Sequence, residues 1–420
     1  MSNTEYQTID NKTQYINGKE KHQNHAYPEY INHSMEKYYE GRVNKSWQGK
    51  HILKGKTPTA NSLIFSSNDY LNISQHPQLI KAQIAAMQKY GNGQMQSAVF
   101  LNNSSFLLSQ CEKKFSSFLN YSAALLTQSG WSANVGLIQT LAKYNTPVYL
   151  DFYAHMSFWS GVKAARAKPV PFLHNSADSL KKRIEHHGPG IIAVDSIYST
   201  LGTISPLADY ADIARKFKCL LIVDESHSLG THGSQGKGMV AKLGLSSQID
   251  IITASLAKAL SGRGGIITGD RQLIEYIRYS SLPSIFSSAL MPHDLAGFSA
   301  SLEIITQEEW RRAKLQTNAD FLREALSCEG INIGGSNSQI VPLVTGSEAN
   351  TLWLRDELEK EDLFGAVFCS PATPKNKCLI RLSISAHHEK SDLLRVIECL
   401  VRLARKRPDI PLFKGNQQDF

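Results

Sequence analysis

The chain has 420 residues, of which 42% are hydrophobic and 20% are charged. This composition excludes an intrinsically disordered protein, and the length exceeds that at which one hydrophobic core stops growing, so we expect two domains. The formal net charge of +8 is compatible with acidic ligands such as phosphate groups. No basic block is interleaved with aromatic residues, so we expect no nucleic-acid partner.

No apolar run approaches the roughly 18 residues that a membrane-spanning helix needs, and the first thirty residues lack the apolar core of a secretory signal. These features predict a cytoplasmic protein without a membrane span. The cysteines form no C-x-x-C pair and have no histidine spacing typical of zinc sites, so we expect reduced thiols and no metal site. The six cysteines are Cys111, Cys219, Cys328, Cys369, Cys378 and Cys399.

Residues 1–60 are polar and have no sustained periodicity, which predicts an N-terminal arm. From residue 61 onward, short apolar runs rich in Val, Ile and Leu alternate with stretches long enough for helices. Such runs are typical of strands buried on both faces of a parallel sheet. The predicted strands are 123–126, 147–150, 190–194, 219–223, 250–253 and 264–268, and the helices predicted between them include 176–187 and 206–217.

This alternation predicts an α/β doubly wound domain over residues 61–300. Beyond residue 300 the pattern changes. Two helical stretches, 306–327 and 390–406, flank the apolar segments 340–346 and 363–371. We therefore expect a second, smaller α+β domain over residues 301–420.

Polar side chains follow several of the predicted strands. In open α/β sheets, ligands bind just beyond the carboxyl ends of the strands, so residues at these positions are candidates for a functional site. The candidates are Asp151 and His155, Asp195 and Ser196, Asp224 to His227, and Ser255 and Lys258.

Lys258 lies in the segment TASLAKALSGRGG, where small residues leave room for a flat cofactor around the amine. In a cleft, partial desolvation would lower the pKa of this lysine and favour a Schiff base. A solvated loop lysine fits the segment alone equally well.

Asp224 ends a predicted buried strand in VDESHS. Pyridoxal 5′-phosphate (PLP) acts as an electron sink only while its pyridine nitrogen is protonated, which requires a facing carboxylate. His227, three residues on, is placed to reach the ring oxygen, and His155 offers a ring that stacks on the pyridine. The alternative interpretations are an aspartate that caps a turn and a histidine with a purely structural role.

The segment 128–134 (QSGWSAN) follows a predicted strand and opens into an apolar helix. Backbone N–H groups at a helix N-terminus bind phosphate well, so this turn is the candidate phosphate site. Taken alone, the segment is also compatible with an ordinary loop.

Six motifs in order closely resemble the α-oxoamine synthases, which are fold-type I PLP enzymes that condense an amino acid with an acyl-CoA, usually with decarboxylation. The resemblance covers roughly residues 60–400. Within this family, the chain is most similar to the quorum-sensing synthases that make long-chain α-hydroxyketone autoinducers or their aminoketone precursors. The motifs are SNDYL (67–71), SGWSANVGL (129–137), DFYAHMS (151–157), VDSIYSTLGTISPL (194–207), VDESHSLGTHG (223–233) and SLAKALSGRGG (255–265).

The resemblance implies a large domain around a mostly parallel seven-stranded sheet, a smaller C-terminal α+β domain, and a homodimer with shared active sites. It also implies PLP as the cofactor. Lys258 would be the Schiff-base lysine and general base, Asp224 the partner of the ring nitrogen, His227 a neighbour of the ring oxygen, and His155 the stacking ring.

Further roles are carried over from the matching motifs. Four residues would hold the phosphate: Ser129, Gly130, Trp131 and Ser255. Three hydroxyls would lie near the cofactor, the last two donated by the second subunit: Ser199, Ser287 and Ser288. Arg381 would clamp the substrate carboxylate with its planar fork, assisted by Asn68.

The implied reaction joins an amino donor to a medium or long acyl-CoA. Residues 91–105 (GNGQMQSAVFLNNSS) depart from the glycine- and serine-rich segment of the biotin, haem and sphingolipid synthases. This departure argues against carrying over the usual glycine, alanine or serine preference and agrees better with the autoinducer synthases, for which the resemblance implies S-adenosylmethionine or 2-aminobutyrate as donor. The alternatives are a synthase that uses glycine, alanine or serine, an aminotransferase on the same fold, and a catalytically silent PLP-binding protein.

Overall fold

The computed structural model describes residues 27–93, 95–101 and 106–414. Residues 27–54 belong to one unit and residues from Gly55 onward to another. In the first unit, helix α1 (Glu29–Tyr38) continues into a π-helical turn (Tyr39–Asn44). The sequence analysis did not predict α1, and none of its residues is buried. The rest of the predicted arm, residues 1–26, lies outside the described residues.

The second unit alternates strands and helices. Its strands are β1 (Leu63–Ile64), β2 (Ala123–Thr127), β3 (Pro147–Asp151), β4 (Lys168–Phe172), β5 (Ile191–Asp195), β6 (Leu220–Asp224), β7 (Ile251–Ser255), β8 (Gly265–Gly269), β9 (Ile340–Gly346), β10 (Leu363–Phe364), β11 (Ala366–Phe368) and β12 (Cys378–Ser383). Its helices are α2 (Pro77–Tyr90), α3 (Phe106–Leu119), α4 (Gly130–Leu141), α5 (Met156–Ala165), α6 (Ala177–His187), α7 (Leu207–Phe217), α8 (Met239–Lys242), α9 (Arg271–Ser280), α10 (Leu282–Ile285), α11 (Pro292–Gln307), α12 (Glu309–Cys328), α13 (Glu348–Lys360) and α14 (Lys390–Lys406). Short 3-10 turns lie at Ala98–Phe100, Ser234–Gly236 and Pro411–Phe413.

The main sheet has seven strands in the order β2-β8-β7-β6-β5-β3-β4, and β8 alone runs antiparallel to its neighbours. Alternate residues of one strand enter different hydrophobic cores. Ile192 and Val194 of β5 belong to the larger core, and Ile191 and Ala193 belong to the smaller one. Since side chains of a strand alternate between faces, helices cover both faces of the sheet. This arrangement confirms the predicted α/β class and the six predicted strands.

The edge strand β4 was not predicted. Its sequence KPVPF contains Pro169 and Pro171, which lack the N–H that a central strand needs for its ladder. Because β4 pairs only with β3, proline is tolerated on its open side. The missing signal is therefore a consequence of the strand's edge position.

The C-terminal part contains a three-stranded antiparallel sheet in the order β11-β12-β9, and helices α12 and α14 fall on the predicted helical stretches. This confirms the predicted small α+β region. Helix α11 is continuous through residues 300 and 301, and the domain limits remain predictions. Across the described part of the chain, no helix is long and apolar enough to cross a membrane.

An ion pair joins two elements that flank the edge of the main sheet. Arg278 of α9 donates to Glu112 of α3 at 2.7 Å, and the other Glu112 oxygen accepts from the backbone N–H of Leu126 in β2 at 3.0 Å. The two side chains are only 21% and 11% exposed. Burial raises the pKa of Glu112, and the charge of Arg278 opposes that rise.

We predict that Arg278→Met destabilises the protein by about 2–4 kcal/mol at pH 8, because it leaves a buried carboxylate without its partner. A carboxyl group with a raised pKa can protonate as the pH falls, so the loss is smaller at pH 5. Urea unfolding at both pH values measures the difference, with exposed Lys113→Met as the matched control. Equal losses at the two pH values would contradict this explanation.

Candidate active site

The candidate site lies where strands β5, β6 and β7 end. Asp224, the last residue of β6, is in register with Asp195 of β5 and with Thr253 of β7. Both carboxyl groups are buried. Burial, and then the charge of Asp224, raise the pKa of Asp195 well above its usual range. The carboxyl ends of β5 and β6 thus bring two acidic groups close together, at positions that the sequence pattern placed at strand ends.

Four hydrogen-bonding groups hold and surround the Asp224 carboxylate. One oxygen accepts from the side-chain amide of Asn134 at 2.7 Å, and the other accepts from the backbone N–H of Ser226 at 2.8 Å. The same amide donates to the hydroxyl of Ser157 at 2.9 Å, and that hydroxyl lies 2.6 Å from Nδ1 of His155. This chain of contacts links the ends of β2, β3 and β6 through the helices that follow them.

His155 is the N-cap of α5, which places its ring beside this network. The ring meets the indole of Trp131 edge to face, with centroids 6.0 Å apart, and the backbone N–H donates to Asp195 at 3.2 Å. Burial lowers the pKa of His155, with a further contribution from Lys258, and the Asp224 charge opposes them. The ring is therefore neutral at physiological pH and suited to stacking on a flat ligand.

Lys258 lies in the turn after β7 and its side chain is half-buried. Among the described residues, its amine has neither a hydrogen bond nor an ion pair. Desolvation lowers its pKa, the charge of Asp224 opposes this, and the charge of Arg381 adds to it. The structure therefore presents an amine with increased nucleophilic character near a buried carboxylate.

His227 follows Asp224 on the loop after β6. Its Nδ1 lies 2.7 Å from the hydroxyl of Tyr70, and its backbone carbonyl accepts from Gln339 at 2.6 Å. Burial, then the charges of Lys258 and Arg381, lower the pKa of His227 well below its usual range. A neutral imidazole in a fixed orientation results.

Arg381 lies on β12, so the small sheet contributes a cation to the site. Its guanidinium donates to the carbonyl of Ser199 at 2.9 Å and to the side-chain oxygen of Asn68 at 3.0 Å, and it lies 4.9 Å from the ring centre of Phe368. The Nε atom is buried without a partner, and no carboxylate pairs with this arginine in the part of the chain that the structure describes. Such a cation is suited to bind an anionic ligand.

The N-terminus of α4 forms a cradle of backbone N–H groups. Ser129 caps the helix by accepting from the N–H of Ser132 at 3.0 Å. The N–H groups of Gly130 and Trp131 have no acceptor within the described residues. Gly130 packs so closely on Ser255 that a Cβ atom there would lie 2.7 Å from the Ser255 Cβ. The free donors and the absent side chain leave the backbone open to an anion.

The family described as Aminotransferase class I and II matches residues 60–400. The chain belongs to this family. It is 42% identical over 370 residues to the CAI-1 autoinducer synthase of Vibrio campbellii, covering 88% of this chain and 94% of the relative. It is 30% identical to the serine palmitoyltransferase of Sphingobacterium spiritivorum (82% and 87% covered) and 31% identical to the 2-amino-3-ketobutyrate coenzyme A ligase of Escherichia coli K12 (81% and 87%).

Solved structures lead to the same family. The Sphingomonas wittichii serine palmitoyltransferase superposes with a TM-score of 0.78 at 26% identity, covering 83% of this chain and 89% of that one. A structure of SPT with PLP has the same TM-score and coverage at 28% identity. These matches confirm the resemblance to the α-oxoamine synthases and the fold-type I class.

In this aminotransferase-class fold, Ser287 and Ser288 lie just after α10. The Ser287 hydroxyl donates to the carbonyl of Pro283, and the Ser288 carbonyl accepts from Gln128 at 2.8 Å, beside the α4 cradle. Their donation to a second subunit remains a prediction. Of the divergent segment 91–105, residues 94 and 102–105 lie outside the described residues.

Sequence reasoning did not assign roles to three residues of the site: Tyr70, Asn134 and Ser157. Asn134 and Ser157 lie within the first turns of α4 and α5, so the rule that functional residues directly follow a strand does not reach them. A search that extended about two helical turns beyond each strand end would have found both, since Asn134 follows the end of β2 by seven residues and Ser157 follows the end of β3 by six. Tyr70 lies within the quoted SNDYL motif, but no spacing relates it to His227, since 157 residues separate them.

We predict that Asn134→Ala weakens PLP binding about 5- to 150-fold, because it leaves one oxygen of a buried carboxylate without its donor, a loss of about 1–3 kcal/mol. Titration of the apo-protein with PLP, followed by absorbance, measures the change. Gln139→Ala on the same helix is the control and should bind like the wild type. Unchanged affinity in Asn134→Ala would show that Asp224 needs no support from this amide.

Proposed function

We propose that the chain is a PLP-dependent acyltransferase that joins an amino donor to a long-chain acyl-CoA and releases CoA and carbon dioxide. The product would be an α-aminoketone or enaminone, the precursor of an α-hydroxyketone autoinducer. The observation that carries the proposal is that three groups lie near one another: an amine without an ion pair (Lys258), a buried carboxylate at the end of β6 (Asp224) and, from the small sheet, a buried guanidinium without an ion pair (Arg381).

The residues present fit PLP. The free N–H groups of Gly130 and Trp131 match its phosphate, the Asp224 carboxylate matches its ring nitrogen, and the neutral His155 ring matches its flat face. Lys258 would hold the cofactor covalently through its amine. When bound, PLP supplies an electron sink that stabilises negative charge on the donor's α-carbon.

Asp224 keeps the ring nitrogen protonated. Because Asn134 and Ser226 each donate to one of its oxygens, the carboxylate cannot rotate freely, and its charge stays fixed at the end of β6. A fixed charge in a water-poor site acts more strongly than the same charge in solvent. This residue therefore has a catalytic role without transferring a proton to the substrate.

Lys258 is the general base at the α-carbon. With PLP bound, the Lys258 amine would hold the cofactor and, once released from it, would take the proton from the donor's α-carbon. Desolvation lowers the pKa of this amine, so a larger share is neutral near physiological pH than for a surface lysine. Burial of the lysine therefore both excludes water from the site and increases the fraction of the amine that is neutral and able to accept a proton.

Arg381 binds the donor's carboxylate. Its contacts to the Ser199 carbonyl and to Asn68 are with neutral acceptors, so they orient the guanidinium without neutralising it. The Phe368 ring lies against it and limits the directions from which a carboxylate can approach. The planar fork is suited to two parallel hydrogen bonds to one carboxylate.

The protein would act as a homodimer whose subunits share active sites. The support within one chain is the segment that carries Ser287 and Ser288, because Phe286 is 80% exposed and Ser288, two residues on, is held beside the α4 cradle by Gln128. An apolar ring of that exposure is suited to cover by a second copy. The hydroxyls of Ser287 and Ser288 would then reach the partner's cofactor.

We predict that Lys258→Ala abolishes the visible absorbance of covalently held PLP and lowers turnover by at least about 1000-fold, the upper part of the range for a general base. Absorbance spectra and CoA release measure the two effects. Lys237→Ala, at a lysine outside the site, is the matched control. Wild-type turnover in Lys258→Ala would refute the assignment.

We predict CoA thiol release when the PLP-loaded enzyme receives a long acyl-CoA with S-adenosylmethionine or 2-aminobutyrate. The same assay includes glycine, alanine and serine as donors and acyl chains of several lengths. Release only with glycine, alanine or serine would assign the chain to the other synthases. No release with any pair, together with amino-group transfer from amino acid alone, would favour the aminotransferase.

A further inference from the structure

Two cysteines and a glutamate meet outside the candidate active site. Cys369 directly follows β11, and Cys378 begins β12. Phe368 is in register with Leu379, so the next pair along this antiparallel ladder is Cys369 and Cys378. Glu348 is the first residue of α13, and its carboxylate lies with the two sulfurs such that all three ligand atoms are within 4.8 Å of one another.

The spacing of these residues along the chain does not predict a metal site. The two cysteines are nine positions apart, and the glutamate lies 21 positions before Cys369, which matches no familiar zinc spacing. The β11–β12 hairpin and the start of α13 bring them together instead. Two of the ligands lie on regular elements and Cys369 directly follows a strand, so they are held more firmly than ligands on one loop.

The site is largely removed from water. Cys378 is 1% exposed and Cys369 is 9% exposed, while Glu348 is half-buried. The three ligand atoms lie together, so two thiolates and a carboxylate would repel one another there. A divalent cation would offset this repulsion, since it stabilises all three anionic ligands.

An independent observation also points to a ligand. Thr373 is 5% exposed and its hydroxyl lies beside the Cys378 sulfur. Within the described residues this hydroxyl oxygen has no hydrogen bond of normal geometry. Apart from its contact with the sulfur, the hydroxyl has no partner there, and buried hydroxyls usually have at least one well-formed hydrogen bond. Here the hydroxyl is placed to contact a fourth ligand or a metal-bound water.

We propose that Cys369, Cys378 and Glu348 bind one divalent cation of the zinc class. Two thiolates select a soft or borderline cation, and a carboxylate with a water or the Thr373 hydroxyl completes a four-coordinate site. With Zn–S bonds of about 2.3 Å, tetrahedral geometry places two sulfurs about 3.8 Å apart. The ligand atoms already lie within a range that small side-chain rotations would close.

The site has a structural consequence for the active site. Cys369 and Cys378 flank the loop 370–377, and the residues next to them support substrate binding. Phe368 precedes Cys369 and lies against Arg381, which is three residues beyond Cys378. A bound cation would hold the base of this hairpin and thereby position Arg381. Zinc would act there as a positioning element without touching the substrate.

The experiment uses the full-length, PLP-loaded protein, purified under reducing conditions and stripped of metal with a chelator. Zinc binding is measured by titration against a competing chelator and by elemental analysis. The variants are Cys378→Ser and Glu348→Gln, and Cys399→Ser, a buried cysteine of α14, is the matched control. Cys399→Ser and wild type should each bind one zinc per chain at this site.

Loss of a ligand should weaken zinc binding by more than the roughly 10–100-fold that loss of an outer-shell partner costs. Zinc should also raise the unfolding temperature of the wild type. It should protect Cys369 and Cys378 from peroxide, which otherwise oxidises the two thiols to a disulfide and is itself reduced to water.

If Cys378→Ser fails to fold, the zinc affinity of Glu348→Gln decides whether these residues bind the cation. Equal zinc affinity in wild type and Glu348→Gln, or equal rates of disulfide formation with and without zinc, would overturn the proposal. These readouts do not depend on turnover, so they are independent of the proposed reaction.

Discussion

The buried carboxylate of Asp224 determines how the rest of the site is built. A charge in the interior is costly unless donors surround it, and here the donors come from Asn134 and from the backbone of Ser226. Asn134 lies on α4, so the N-terminus of that helix must point at the end of β6. Ser157 and His155 then extend the same network to α5. One charge thereby fixes the relative placement of three strand–helix units.

The cations of the site are not compensated in the same way. Desolvation is the main cause that lowers the pKa of both Lys258 and Arg381, and the charge of Arg381 lowers the pKa of Lys258 further. Neither has an ion pair among the residues that the structure describes. Anionic ligands would reduce the cost of burying these positive charges, because a phosphate and a substrate carboxylate supply the missing counter-charges. Functional sites commonly keep such local instability, and ligand binding then adds to the stability of the fold.

Much of this architecture could be predicted from the sequence, for a physical reason. Strands such as β5 and β6 are buried on both faces and therefore appear as continuous apolar runs. Strand β12 lacks this signal because Arg381 interrupts its apolar pattern, and the arginine is tolerated only because Asn68 and Phe368 surround it in the folded protein. Such long-range neighbours cannot be inferred from spacing alone. The predicted residues Asp224 and Lys258 directly follow or end strands, whereas Asn134 contributes through the direction of a helix.

Lys258, in the turn after β7, would be the residue that holds the cofactor. Reduction of the PLP-loaded protein with borohydride fixes the cofactor to the amine that carries it, and digestion with mass spectrometry then locates the modified lysine. We expect one modified peptide, containing Lys258, with no such modification in Lys258→Ala. Stoichiometric modification of another lysine would contradict it.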